Sequence, residues 1–295
     1  MGNDFLKETG LALKRAVLPF KVIAAVAFGS QVKGLASPSS DFDILIIAEG
    51  INPKRQRRGG EIAKIKKALP LLFPDLLLLT RDEAVSNFEN HNPLFLDIAE
   101  EGVVIFDEDS FAEKLMVETR EYIRQKGIRK LQDGWAFPVQ QGVATPLSKV
   151  SNKDFSLAML KDGERDFAIG KKLMEEEYFD KAVYHFQQAV EKCLKSVLIA
   201  RGIFQKTHFV GELLRRLLET EDFPAKWRKE LLLAAEISAE MEPEVSLSRY
   251  PGIIGNSLWL PCEEYNKEDA DTAYQKTGKV LAISQRYVAE WFDKA

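Results

Sequence analysis

Two carboxylates, Asp41 and Asp43, stand one residue apart in the run Ser40-Asp41-Phe42-Asp43-Ile44-Leu45, ten residues after the pair Gly29-Ser30. In a β-strand successive side chains point to opposite faces, so Asp41 and Asp43 share one face while Phe42 and Ile44 share the other. Carboxylates held that close repel each other unless a cation sits between them. Mg²⁺ takes oxygen ligands of this kind and completes its shell with water and substrate phosphates. The residues upstream suit those phosphates. Val22–Phe28 reads as a short buried strand that ends in a Gly29-Ser30 turn. Glycine lets backbone approach a ligand closely, and the Ser30 hydroxyl with nearby N–H groups can hold phosphate oxygens. A helical turn starting at Ser30 would add the partial positive charge of its free N–H groups. The plainer alternative is that the two aspartates only cap a turn.

The joint pattern resembles the minimal nucleotidyltransferase branch of the DNA polymerase beta superfamily. Gly29, Ser30, Gly34, Ala36, Ser40, Asp41 and Asp43 occupy the positions that family's motif asks for, and the likeness covers roughly residues 1–110. The resemblance implies that Gly29, Ser30 and Ser40 bind the nucleotide. It also implies a third carboxylate opening a neighbouring strand, and Phe73-Pro74-Asp75 followed by Leu76–Leu79 supplies one. Asp41 and Asp43 would then carry two Mg²⁺ ions, with Asp75 on the acceptor side as metal ligand or base. Such a site activates an attacking hydroxyl and neutralises a triphosphate and its leaving group. Asp75 as a mere strand opener is the alternative.

Composition sets the frame for these residues. At 295 residues, with 45% hydrophobic and 29% charged side chains, the chain reads as an ordinary globular protein of two domains. A net charge of −4 argues against wholesale attraction to nucleic acid, although a local basic patch remains compatible with it. The longest apolar runs fall far short of the ~20 residues that a membrane span requires. Near the start, Asp4, Lys7, Glu8, Lys14 and Arg15 leave no apolar signal core, so the expectation is a cytoplasmic protein away from membranes. Cys193 and Cys262 show neither disulfide nor metal-ligand spacing, and His91, His185 and His208 are well separated, which argues against zinc.

The elements needed to position the carboxylates can be read in order. An entry helix falls within 5–19, strands at about 22–28 and 42–48, and a charged crossover helix from Pro53 to Leu69. A strand from Asp75 follows, then Thr80 and Glu83 with capping-box spacing, a short helix opened by Asn92-Pro93, and a strand at 102–106. A helix is expected over 109–126, and the turn-rich stretch Gly127–Lys149 reads as a linker whose Trp135 and Phe137 pack against a domain. From Phe155 onward the pattern is helical with no strand signal. Helices are expected near 162–176, 179–200, 208–219, 224–241 and 267–292, with a long loop between Pro243 and Cys262. In the second of these, Ala182, Val183, Phe186, Ala189, Val190, Cys193, Leu194, Val197 and Leu198 form an apolar stripe.

This half resembles the HEPN domain. The run Tyr184-His185-Phe186 through Leu194-Lys195, then Gly202, Lys206-Thr207-His208, Arg249-Tyr250-Pro251 and Glu268-Asp269-Ala270, follows that family's order and spacing over about 155–292. The resemblance implies a helical up-down bundle that pairs into a homodimer and accompanies minimal nucleotidyltransferases. HEPN ribonucleases carry an Arg and a His with four to six residues between them, and Arg201 and His208, with six between, fit that motif. Arg would grip phosphate oxygens and His would shuttle a proton. The plain alternative is that Arg201 ends one helix and His208 begins the next. In toxin relatives a Tyr two residues beyond the His accepts an adenylyl group; Val210 stands there, so that switch is absent. Lys54, Arg55, Arg57, Arg58, Lys64, Lys66 and Lys67 crowd one segment that could approach a triphosphate or an RNA acceptor, or form a solvated helix face.

The expected architecture is α/β plus all-α: a small mixed sheet with helices over 1–110, a connecting helix and linker over 111–154, and a HEPN-like bundle over 155–295. The expected activity is transfer of a nucleoside monophosphate, AMP from ATP, with Mg²⁺ onto a protein, RNA or small-molecule hydroxyl, within a toxin–antitoxin-like system. Self-modification is one form of it, since both domains share a chain. Two rivals are a metal-independent RNA endonuclease regulated by the first domain, and a nucleotide-binding module without turnover.

Overall fold

The computed structural model describes residues 3–30, 32, 42–69, 74–147, 149–220 and 223–293. Its chain divides into two compact units, 1–128 and 129–295.

In the first unit, α1 (Asn3–Arg15) leads into β1 (Lys21–Phe28) and β2 (Phe42–Glu49); a 3-10 turn at Arg55–Arg57 and α2 (Gly59–Ala68) cross to β3 (Pro74–Leu79). Then come α3 (Arg81–Glu89), α4 (Pro93–Glu101), β4 (Val103–Asp107) and α5 (Phe111–Lys126). The four strands form a mixed sheet in the order β3-β2-β1-β4. β1 runs antiparallel to both β2 and β4, whereas β2 and β3 are parallel, as a strand–helix–strand crossover demands. Both faces are covered, so the central strands carry near-continuous apolar runs instead of alternation. On one face Ala25, Ala27, Ile44, Ile46 and Leu78 pack with Leu13 of α1 and Ile65 of α2. On the other, Ala24, Val26, Leu45, Ile47 and Leu79 pack with Phe88, Ile98 and Met116 of α3, α4 and α5. Local signals set the helix starts. Thr80 and Glu83 complete a capping box on α3, and Asn92 accepts from Leu94 N–H at 3.1 Å ahead of Pro93.

The second unit begins with β5 (Arg129–Leu131) and β6 (Gly134–Ala136), followed by α6 (Asn152–Glu175), α7 (Phe179–Ala200) and β7 (Ile203–Gln205). It continues with α8 (Val210–Thr220), α9 (Ala225–Met241), α10 (Glu244–Leu247), β8 (Gly252–Ile254), β9 (Ser257–Trp259), α11 (Pro261–Glu264) and α12 (Lys267–Phe292). The helix α7 is the centre of this core: all nine residues of its apolar stripe are buried. It lies antiparallel to α6, with Asn152 Nδ2 donating to Ala200 O (3.0 Å) and Ser156 Oγ to Ser196 O (2.8 Å). Those two buried polar residues extend α6 ten residues upstream of the expected start at 162; a capping box of Ser151 and Asp154 opens it.

The expectation of a strandless C-terminal half is corrected. β6 pairs with β5 and with β7 in a three-stranded sheet, and β8 with β9 in a hairpin inside the expected loop. Each of these strands has three residues, too few for a period of two to register, and β7 exists through pairing with a segment some seventy residues away. Trp135 and Phe137 are buried within this unit.

Candidate active site

Asp43 and Asp75 are brought together by strand register. β2 and β3 pair in parallel with Asp43 opposite Asp75, so their Cα atoms stand about 4.8 Å apart with both side chains on one face. The register continues into β1, where Phe28 lies opposite Asp43. The end of β1 and the starts of β2 and β3 therefore meet at one end of the sheet. Asp43 is half-buried and Asp75 is exposed.

Gly29 follows immediately, in a left-handed conformation with φ 81°. A β-carbon there would lie inside the van der Waals envelope of Asp43 Oδ2. The Asp43 carboxylate thus folds over the Gly29 backbone, and only glycine supplies both the conformation and the space. Ser30 is half-buried beside it. Gly34, Ala36, Ser40 and Asp41 lie outside the described residues. Among the described residues no three His, Cys, Asp or Glu side chains gather as a metal group, and Asp41, the third carboxylate of the expected set, is not among them. The residues that are described do suit a hard cation: two oxygen donors from adjacent strands in one register, one held against bare backbone.

The basic segment after β2 divides in two. Arg58 is buried, not presented to a ligand. It donates through Nε to Asn52 O (2.7 Å), through Nη1 to Leu78 O (3.0 Å) and Glu83 Oε2 (2.6 Å), and through Nη2 to Glu83 Oε1 (2.9 Å). It ties the 3-10 turn to the far end of β3 and to the α3 capping box. Burial pushes the Glu83 carboxyl up, but the Arg58 bonds and the Thr80 backbone outweigh it and hold it below the usual carboxylate range. Lys54, Arg55, Arg57, Lys64, Lys66 and Lys67 are exposed.

In the second unit, Arg201 and His208 have separate anchors. Arg201 follows the last turn of α7, its guanidinium over the rings of Phe223 (4.5 Å) and Trp291 (4.8 Å). His208 is 67% exposed, and its Nδ1 lies 3.0 Å from Oε1 of the buried Glu191. Ten residues of α7, about 15 Å of helix rise, separate Glu191 from Arg201. Sequence reading passed over Glu191. Its signal was an acid embedded in the apolar stripe, between Val190 and Cys193, where a charge needs a partner. His185 pairs with Asp166 (3.0 Å), which also accepts from Lys192 (2.6 Å).

A mixed four-stranded sheet with carboxylates gathered beside a Gly-Ser turn defines a nucleotidyltransferase-type unit, and the second unit is a helical bundle. Residues 11–106 match the family model of the nucleotidyltransferase domain, and residues 157–287 that of the HEPN domain. A candidate toxin of Methanocaldococcus jannaschii, MJ1304, is 31% identical over 139 residues, covering 47% of this chain and 91% of its own. The chain belongs to the fused nucleotidyltransferase–HEPN proteins. Among solved structures it is similar to ST0689, an archaeal HEPN homologue (22% identity, 45% of this chain, 97% of that chain, TM-score 0.35). It is also similar to a nucleotidyltransferase-like protein of Exiguobacterium sibiricum (14% identity, 96% of this chain, 74% of that chain, TM-score 0.41). Among the described residues no helix is long and apolar enough to cross a membrane.

Proposed function

We propose that the first unit moves a nucleoside monophosphate, AMP from ATP, onto an acceptor hydroxyl with loss of pyrophosphate. The observation that carries this reading is the pairing of Asp43 with Asp75 in one register, with the Asp43 carboxylate laid against Gly29. Asp41, Asp43 and Asp75 would hold Mg²⁺, which supplies neutralisation of the triphosphate and of the departing pyrophosphate. Gly29 keeps the wall of the site free of side chain, so that phosphate oxygens can reach backbone N–H groups, and the Ser30 and Ser40 hydroxyls add donors to them. Asp75, exposed at the strand start, accepts the proton of the attacking hydroxyl or orients it. The acceptor is a hydroxyl of RNA, of a small molecule or of protein, this chain included. The helical unit presents it or is itself the modified partner, paired as a homodimer in a toxin–antitoxin-like system.

Incubation with α-labelled ATP and Mg²⁺, with and without total RNA, tests this. Label should appear on RNA or protein and vanish in Asp43→Asn and Asp75→Asn. Transfer surviving both substitutions would remove the assigned roles.

A second reading has two observations in its favour. The exposed His208 ring is held by the buried Glu191 through Nδ1, leaving Nε2 to solvent as an acid–base group. The likeness to a candidate toxin supports it as well. As an RNA endonuclease, the protein would shorten RNA in the presence of a chelator and lose that activity in His208→Ala.

A further inference from the structure

The second unit holds a cavity of about 240 Å³ that the nucleotidyl-transfer reading does not use. Apolar residues such as Phe137, Val139, Ile203, Leu217 and Trp291 make up most of its lining, which also includes Arg129 and Arg201 and no acid. Neither arginine side chain has a hydrogen bond or ion pair with a described residue. Arg201 is nevertheless held, because its Cζ lies 4.5 and 4.8 Å from the ring centroids of Phe223 and Trp291. A cation–π contact of this kind leaves the guanidinium N–H donors without an acceptor oxygen, and their fork matches an oxyanion. Beside the cavity the Trp291 Nε1–H is a buried donor with no acceptor, and so is the neighbouring Tyr287 Oη–H. Buried donors left open in a native core call for an explanation, and a group completed from outside the chain is one.

We propose that this cavity is a binding site for a small phosphate monoester with a single-ring body. Two positive charges, Arg201 held over two rings and Arg129 exposed, match the dianion of a phosphate monoester, about −1.5 to −2 at neutral pH, better than the single charge of a carboxylate. The aromatic and aliphatic walls suit the ring, as in ordinary ligand sites where a few polar groups orient an apolar body. The volume lies just below the usual range of such sites, about 300–1,000 Å³, which fits one ring and one phosphate. Arg201 acts here with Arg129, its neighbour across the cavity, independently of His208.

The test is calorimetric titration of the full chain with phenyl phosphate, with phenol and benzoate as comparators. Saturable binding of phenyl phosphate is expected, with phenol and benzoate at least about tenfold weaker. Arg129→Gln, on an exposed strand position, should weaken phenyl phosphate about tenfold or more without disturbing the core. Arg201→Gln should do the same, and Arg129→Gln is the decisive variant if the loss of the ring contacts unfolds the unit. Absence of saturable binding, benzoate binding as tightly as phenyl phosphate, or an affinity unchanged in Arg129→Gln would overturn the proposal. A 5′-phosphorylated oligoribonucleotide binding more tightly than phenyl phosphate, and losing that preference in Arg129→Gln, would overturn the small-molecule assignment in favour of a strand end.

Discussion

Replacing Gly29 by alanine separates two costs that the structure superimposes at one position. The backbone there has φ 81°, and an L side chain in the left-handed region costs about 1–2 kcal/mol. The new β-carbon would also occupy the place of Asp43 Oδ2, so the carboxylate must swing away from the end of β1. Gly127, which ends α5 at φ 64° with nothing within 4 Å of a built β-carbon, carries only the first cost. Urea unfolding of Gly127→Ala should therefore lose about 1–2 kcal/mol with label transfer intact. Gly29→Ala should lose at least as much stability. Its transfer rate should fall about 10²-fold or more, since displacing a catalytic group by about 1 Å has that effect. The assay is the initial rate of transfer from α-labelled ATP, read beside an urea melt of the same preparation. Gly29→Ala with the transfer rate of Gly127→Ala would refute the reasoning, because the Asp43 position would then be irrelevant to the chemistry.

Two further outcomes follow from buried contacts. Arg58→Ala removes the charged partner of Glu83 and a donor to five acceptor oxygens, and should destabilise the first unit by about 3 kcal/mol or more in urea. Because the folded-state pKa of Glu83 is lowered, its contribution is present above the unfolded carboxyl value and is lost as pH falls through the folded one. Glu83→Gln should accordingly flatten the acid limb of a stability-versus-pH curve, and an unchanged limb would contradict the pairing. In the second unit, a β-carbon at Gly170 of α6 would come within 2.7 Å of the Phe186 ring of α7. Gly170→Ala should cost about 1–3 kcal/mol by overpacking, against the small gain alanine brings to an exposed helix. A raised melting temperature would show the two helices to be further apart than described.

Much of the fold was legible because its signals are local. Strand runs such as Val22–Phe28, the Thr80/Glu83 capping box, Pro93 after Asn92, and the stripe of α7 each lie within a few residues of one another. The strands β5, β6 and β7 were not legible. A three-residue segment has no period, and Trp135 meets Phe204 only after the chain has passed through α6 and α7. Arg58 illustrates the same limit within the basic segment. Seven cations look alike in sequence, yet one is enclosed by Leu78 and Glu83, twenty and twenty-five residues away.

By itself the sequence determined the two-domain character, the Gly-Ser turn with its alternating aspartates, and the carboxylate that opens a third strand. Each is a matter of residue type and short-range spacing, where backbone alternation and turn chemistry leave little choice. Only the tertiary structure decided that Asp75 stands opposite Asp43, since parallel register depends on how α2 packs across the sheet. It alone decided that Glu191 holds His208, and that Arg201 turns to Phe223, Trp291 and the cavity beside Arg129. Those contacts join residues far apart along the chain, and burial and helix packing, to which every segment contributes at once, select them from many pairings of similar local energy.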